Sequence, residues 1–177
     1  MVKKIMKFFV YLLFFIFSLI LFMPKESVYF LLEKNLKVFD IVISKEHLTQ
    51  NFLSLEVENL EVSAKAIDAA LIQKVDIVLL GVYNHVNVES IQLSSLVESY
   101  LPSKIDSLDI EHSLLDPLHV VGEAKGEFGK AFLILNLVDR NISVALKPSK
   151  VMFSKYRNSL RMFKKSQNGE YVYAKNF

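Results

Sequence analysis

An apolar segment near the N-terminus constrains this chain more than any other feature. It covers residues 8 to 23 with only Ser18 as a polar interruption. A helix needs about 20 mostly apolar residues to cross a bilayer core. The segment approaches this length when it is counted from Ile5 and the Lys7 ammonium extends to the lipid headgroups. We therefore predict one membrane-spanning helix, with residues 1 to 25 forming a cytoplasmic tip and a transmembrane anchor.

The residues around the segment predict whether it is cleaved and in which direction it crosses the membrane. Pro24 and Lys25 follow it, without the small residues that a signal peptidase requires, which favours an uncleaved anchor over a cleaved signal peptide. Three lysines precede the segment, whereas Lys25 is the one positive charge directly after it. This bias predicts a cytoplasmic N-terminus and a main domain outside the cytoplasm. We expect a protein of the bacterial inner membrane with its main domain in the periplasm.

Composition narrows the class of domain that follows. About 150 residues remain, enough for one domain with a core. The absence of cysteine excludes disulfide bonds and thiolate metal sites. The net charge of +2 conceals a segregation, since residues 26 to 147 are acidic in sum and residues 148 to 177 are basic. We expect no nucleic-acid partner.

Residue spacing predicts a mainly β protein with flanking helices. Residues 26 to 37 have helical spacing and predict a juxtamembrane helix. From residue 38 the apolar period changes to two, so residues 38 to 147 predict a curved antiparallel sheet. Residues 45 to 51 read as a polar connection, and a capping pattern at Ser94 predicts a short helix near Leu96 to Tyr100. A turn at residues 139 to 141 predicts a hairpin.

A recurring slip of the apolar alternation is the most specific pattern of the predicted sheet. Residues 55 to 63 align with residues 86 to 94, and residues 105 to 110 repeat the core of the unit. In the two longer copies the alternation slips by one residue, between Val57 and Leu60 and between Val88 and Ile91. Such a slip indicates a bulge or a bend within the strand. Three bent strands favour a curved sheet with aliphatic side chains on its concave side.

Residues 148 to 177 predict a basic helix and a final strand. The helix is expected from residue 150 to about residue 165, and the strand from residue 171 to residue 177. Met152, Tyr156, Leu160 and Phe163 lie near one stripe of that helix. Its cations are either the contact surface for an acidic partner or lipid headgroups, or an ordinary solvated face. The predicted partner-binding residues are Lys155, Arg157, Arg161 and Lys164.

These features resemble type II secretion system protein N and the wider group of AsmA-like periplasmic proteins. The resemblance covers most of residues 10 to 150. It rests on the anchor, on Pro24-Lys25-Glu26, on an early strand at residues 39 to 44 and on bent strands such as residues 88 to 93. It implies an inner-membrane-anchored protein with a curved periplasmic sheet. This chain has too few strands to bridge two membranes.

Sets of residues that could carry out catalysis or bind metal do not form recognisable motifs. His112, Asp116 and His119 lack the spacing of a metal site. Gly122 and its neighbouring glycines alternate with glutamates, which would repel a phosphate. We therefore expect a non-enzymatic protein without metal or cofactor.

Two functions remain open at this point. The chain is either a structural or assembly subunit of a large envelope machine, such as a secretion system or a flagellar motor, or a small lipid-binding or lipid-transfer module. The first would use other protein subunits as partners, and the second a phospholipid. A lipid groove would be lined by Ile77, Leu79, Val88 and Leu93. Alternatively, the C-terminal helix and the helix near Leu96 to Tyr100 cover that face and close it.

Overall fold

The computed structural model describes residues 2 to 98 and 100 to 176, and strands make up 51% of the chain. This confirms the predicted mainly β class with an N-terminal apolar helix and small C-terminal helices. The helices are α1 (Val2–Leu21), α2 (Lys25–Lys37), α3 (Lys150–Lys155) and α4 (Arg157–Leu160).

All described strands belong to one open antiparallel sheet. Its order is β1-β3-β4-β5-β6-β7-β8-β9-β11-β10, and β2 also pairs with β3. From β3 to β9 each strand pairs with the next strand of the chain, so the sheet is a meander. The strands are β1 (Ile41–Ser44), β2 (His47–Gln50), β3 (Ser54–Ala64), β4 (Ile67–Leu79), β5 (Tyr83–Leu93), β6 (Lys104–Ser113), β7 (Asp116–Gly126), β8 (Gly129–Asn136), β9 (Asn141–Pro148), β10 (Lys164–Lys165) and β11 (Tyr171–Asn176).

Helix α1 has the length and composition of a membrane span over Lys3–Leu21, and none of that stretch is buried against the rest of the protein. Membrane anchors and signal sequences share these properties. The helix ends before Pro24, whose ψ of 86° lies outside the helical region. Because of this break, α1 and α2 are separate helices.

Helix α2 packs on the first strands of the sheet through one stripe. Lys25 is 1% exposed and donates a hydrogen bond from Nζ to the Phe52 carbonyl at 3.0 Å. Tyr29 is 5% exposed and belongs to the hydrophobic core. Its buried hydroxyl has no hydrogen-bond partner among the described residues. Burial, together with the Glu46 and Glu33 carboxylates, raises the pKa of Tyr29 to about 12.

The predicted alternation slip is a bend that four strands share. Asn59 and Ser90 have positive φ angles of 56° and 55°. The pairing of β4 with β3 and β5 keeps its register on both sides, so Gln73 lies across from both residues. Asp106 lies across from Ser90 by the same argument. We call this row, Asn59, Gln73, Ser90 and Asp106, the crease.

Apolar residues three positions apart bracket the crease in each of its strands and stay on one face of the sheet. The bracketing pairs are Val57 and Leu60, Ile72 and Val75, Val88 and Ile91, and Ile105 and Leu108. The crease ends at β7, where the pairing with β6 shifts its register between Ile105 and Ser107. The slip is therefore a concerted bend across β3 to β6 and becomes a bulge at the boundary with β7.

Three local predictions are wrong. The connection at residues 45 to 51 contains β2, which pairs with residues 55 to 58 of β3. The described residues around 94 to 101 do not form the short helix predicted near Leu96 to Tyr100. They form turns, in which the Glu98 amide donates a hydrogen bond to the Ser94 carbonyl. Ser99 lies outside the described residues.

The C-terminal helix is shorter than expected. It breaks at Tyr156, where φ is −117° and ψ is 29°, and Lys164 pairs in β10 with β11 instead of continuing the helix. Strand pairing across the turn at Gly169 therefore overrides the helical spacing there. The final strand is confirmed over Tyr171–Asn176, whereas Phe177 lies outside the described residues.

Candidate functional site

The sheet has one apolar face, which we call the inner face, and helices cover it in two places. The first cluster packs Tyr29 of α2 against Leu55, Val57 and neighbouring residues of β3 to β5. The second packs Met152 and Leu160 of α3 and α4 against Phe128 and Leu146. Ile105 contacts both clusters, so both lie on the same face.

Part of the inner face belongs to neither cluster. Register places Ile110, Gly122, Leu133 and Val144 in one row across β6 to β9, and His112, Val120, Leu135 and Ile142 in the next. None of these residues is among those packed with the helices. We call the six aliphatic members the apolar strip: Ile110, Val120, Leu133, Leu135, Ile142 and Val144.

Gly122 is the position in these two rows that has no side chain. A methyl group built on Gly122 would lie 3.2 Å from the Asp109 carbonyl oxygen, 3.7 Å from Leu133 and 3.8 Å from Ile110, so the backbone and both aliphatic side chains pack closely around the glycine.

The side chains on the two faces of β8 differ in exposure. Phe132 and Ile134 point to the outer face of β8 and are 38% and 49% exposed. Leu133 and Leu135, their neighbours on the inner face, are only partly exposed although neither contacts a helix cluster. Because the same strand carries both pairs, neighbouring inner side chains account for the difference.

The four predicted groove residues all lie on the inner face but differ in access. Ile77 and Val88 are 9% and 7% exposed inside the first cluster. Leu79 and Leu93 pack against that cluster and are partly buried. The segments that cover this face differ from the predicted ones. Helix α2 covers its first part, and α3 and α4 cover part of β6 to β11.

Sequence reasoning missed the apolar strip for an identifiable reason. Residues 131 to 135 of β8 are apolar on both faces, so alternation does not reveal which of them point inward. The signal that was present is Gly122, the small residue between bulky aliphatic neighbours.

The outer face is polar over β3 to β6 and carries many acidic groups. Lys74 pairs with Glu56 at 2.6 Å and with Asp76 at 3.4 Å, and the hydrogen bond that Lys74 donates to Glu56 raises the pKa of Lys74. Asp109 accepts a hydrogen bond from Asn87 at 2.7 Å, and the His85 ring lies 3.5 Å from it. The sheet is therefore amphipathic.

The structure separates the four predicted partner-binding cations into distinct places. Arg157 and Arg161 line a cleft of about 810 Å³ together with Phe153, Leu160 and Tyr171. Lys155 lies at the end of α3, and Lys164 lies in β10 beside a different cleft. All four are exposed, and their side chains form no ion pair within the part of the chain that the structure describes.

The histidines make local contacts. His119 Nδ1 lies 2.8 Å from Asp116, and His112 Nε2 lies 3.3 Å from the Pro117 carbonyl. Across residues 2 to 98 and 100 to 176, no three histidine or acidic side chains are placed to hold a metal ion together.

Comparisons with protein-family models, with curated proteins and with solved structures found no match for this chain.

Proposed function

We propose that this chain is a single-pass, non-enzymatic membrane protein whose sheet holds a lipid acyl chain on the apolar strip. The observation that carries the proposal is an aliphatic surface over four strands that neither helix cluster includes. Strands lie about 4.8 Å apart, so four strands span about 14 Å. Each methylene buried there contributes about 0.8 kcal/mol.

The proposed setting follows from α1. Its lysine-rich start favours a cytoplasmic N-terminus, and the sheet then lies in the periplasm of a bacterial inner membrane. In this setting the bilayer supplies the lipid, and the polar outer face of β3 to β6 keeps that part of the sheet compatible with water. The protein would hold or hand over the lipid without changing its covalent structure.

Site-specific photocrosslinking tests the proposal. Benzoylphenylalanine replaces Leu135 in one variant and Ile134, its outward-facing neighbour, in the other. Irradiation of membranes followed by mass spectrometry should detect a phospholipid adduct at position 135 and none at position 134. Adducts of equal yield at both positions, or none at either, would contradict the proposal.

A scaffold function in an envelope machine is the second candidate, favoured by the exposed and unpaired cations of the C-terminal segment. Each contacting charge would contribute about 1 kcal/mol near a membrane surface, or about fivefold in affinity. The double variant Lys155→Glu with Arg157→Glu should then lose co-purifying subunits from solubilised membranes. Lys130→Glu, on an exposed residue of β8, is the matched control. Equal recovery from both variants would count against the scaffold.

A further inference from the structure

Helix α2 has a second apolar face that nothing in the described protein covers. Lys25 and Tyr29 face the sheet and are buried. Next to this buried stripe, Val28, Leu31 and Leu32 are 39%, 60% and 51% exposed. Residues three and four positions apart are neighbours on a helix surface, so these three form one stripe.

Exposed aromatic side chains extend this stripe at both ends of α2. Phe22 lies just before the helix, and Phe39 lies two residues after it. Phe52 is also exposed, and its carbonyl accepts the hydrogen bond from Lys25. We call Phe22, Val28, Leu31, Leu32, Phe39 and Phe52 the juxtamembrane patch. Exposed apolar patches of this extent are typical of a surface that contacts a membrane or another protein.

The position of the patch in the chain identifies its occupant. Only residues 22 to 24 separate the end of α1 from the start of α2. Three residues extend at most about 11 Å, which keeps the start of α2 close to the surface of the bilayer that contains α1. Phe and Leu are typical of the apolar face of helices that lie at that depth. Lys34 and Lys37 near the end of α2 suit anionic headgroups, although Glu33 pairs with Lys37 at 2.7 Å.

We infer that α2 lies along the membrane surface with the juxtamembrane patch in the headgroup layer, and that Lys25 and Tyr29 hold the β1–β3 edge of the sheet against the bilayer. The inference rests on the proposed anchoring of α1.

The absence of cysteine makes a direct test practical, since single cysteines can carry nitroxide labels without background. The full chain is placed in vesicles of phosphatidylcholine and phosphatidylglycerol with one label each in Leu31→Cys, Phe14→Cys and Leu115→Cys. Phe14 reports on α1, and Leu115, which is 98% exposed in the turn between β6 and β7, is the matched apolar control. Collisions with oxygen report lipid, and collisions with a water-soluble nickel chelate report water.

The label at position 31 should collide preferentially with oxygen, as the label at position 14 does, whereas the label at position 115 should collide with nickel. A label at position 31 that behaves like position 115 would overturn the inference while leaving the anchoring of α1 intact. Shielding from both reagents at position 31, with spin–spin broadening, would assign the patch to a second copy of the chain and also overturn it. If positions 14 and 31 are both in water, the anchoring under the proposed function fails.

Discussion

The crease offers the most discriminating test of how this sheet obtains its shape. Ser90 sits in the middle of β5 with a φ of 55°, a conformation that β-branched residues disfavour strongly. Gln73 lies directly across from it in the same row and is not among the residues with positive φ. Replacing each with valine therefore separates backbone strain from the other effects of a valine in a strand.

Two opposing contributions determine the outcome. Valine gains up to about 1 kcal/mol in a strand from β propensity. A residue held in the left-handed region costs about 1–3 kcal/mol, and valine lies at the upper end of that range. Because backbone strain outweighs β propensity at position 90, Ser90→Val should lower the free energy of unfolding by about 1–2 kcal/mol. Gln73→Val carries no such strain and should leave it unchanged or raise it slightly.

The measurement is urea unfolding of the full chain in a mild detergent, followed by circular dichroism, with a thermal scan as a second readout. The expected loss corresponds to a Tm lower by about 2–8 °C. Ser90→Gly is a further control, because the relief of strain and the added backbone entropy of glycine nearly cancel. Equal losses for Ser90→Val and Gln73→Val would refute the assignment of the bend to the positive φ angle.

Further predictions concern the core, one turn and alkaline pH. Leu55→Ala should lower the free energy of unfolding by about 2–5 kcal/mol, whereas Leu115→Ala should change it by less than about 0.5 kcal/mol in the same urea titration; equal effects would contradict the core assignment. Gly129→Ala should lower the Tm more than Gly81→Ala, because both have positive φ but only at position 129 would the new methyl group overlap a neighbouring backbone carbonyl. The raised pKa of Tyr29 means that the folded state retains a proton that the unfolded state loses above pH 10, so stability should fall by up to about 2–3 kcal/mol between pH 10 and pH 12. Tyr29→Phe should abolish this alkaline loss and leave stability at pH 7 unchanged or higher, because the buried hydroxyl has no partner in the described residues; an unaltered pH profile would show that another group titrates.

Features that depend on neighbouring residues were predictable from the sequence. The apolar helix and the hairpin of β8 and β9 follow from local composition and turn residues. The slip at Asn59 and Ser90 was also visible, because alternation with period two records directly which side of a strand is apolar. Asn59 and Ser90 both have positive φ angles in the structure.

Features that depend on distant parts of the chain required the tertiary structure. The polar segment before β3 becomes β2 because β3 offers it an unpaired edge. The expected long C-terminal helix ends early because Lys164 finds a partner strand in β11. Neither partner is visible in the local pattern.

The sequence by itself determined that this chain combines an apolar N-terminal helix with an amphipathic, bent sheet. Which part of the apolar face stays open was decided by tertiary packing, since that depends on where the short helices dock. Tyr29 closes the face over β3 to β5, and Met152 closes part of it beyond β6. The strip around Leu133 lies outside both clusters because helices of 13, 6 and 4 residues are too short to cover eleven strands.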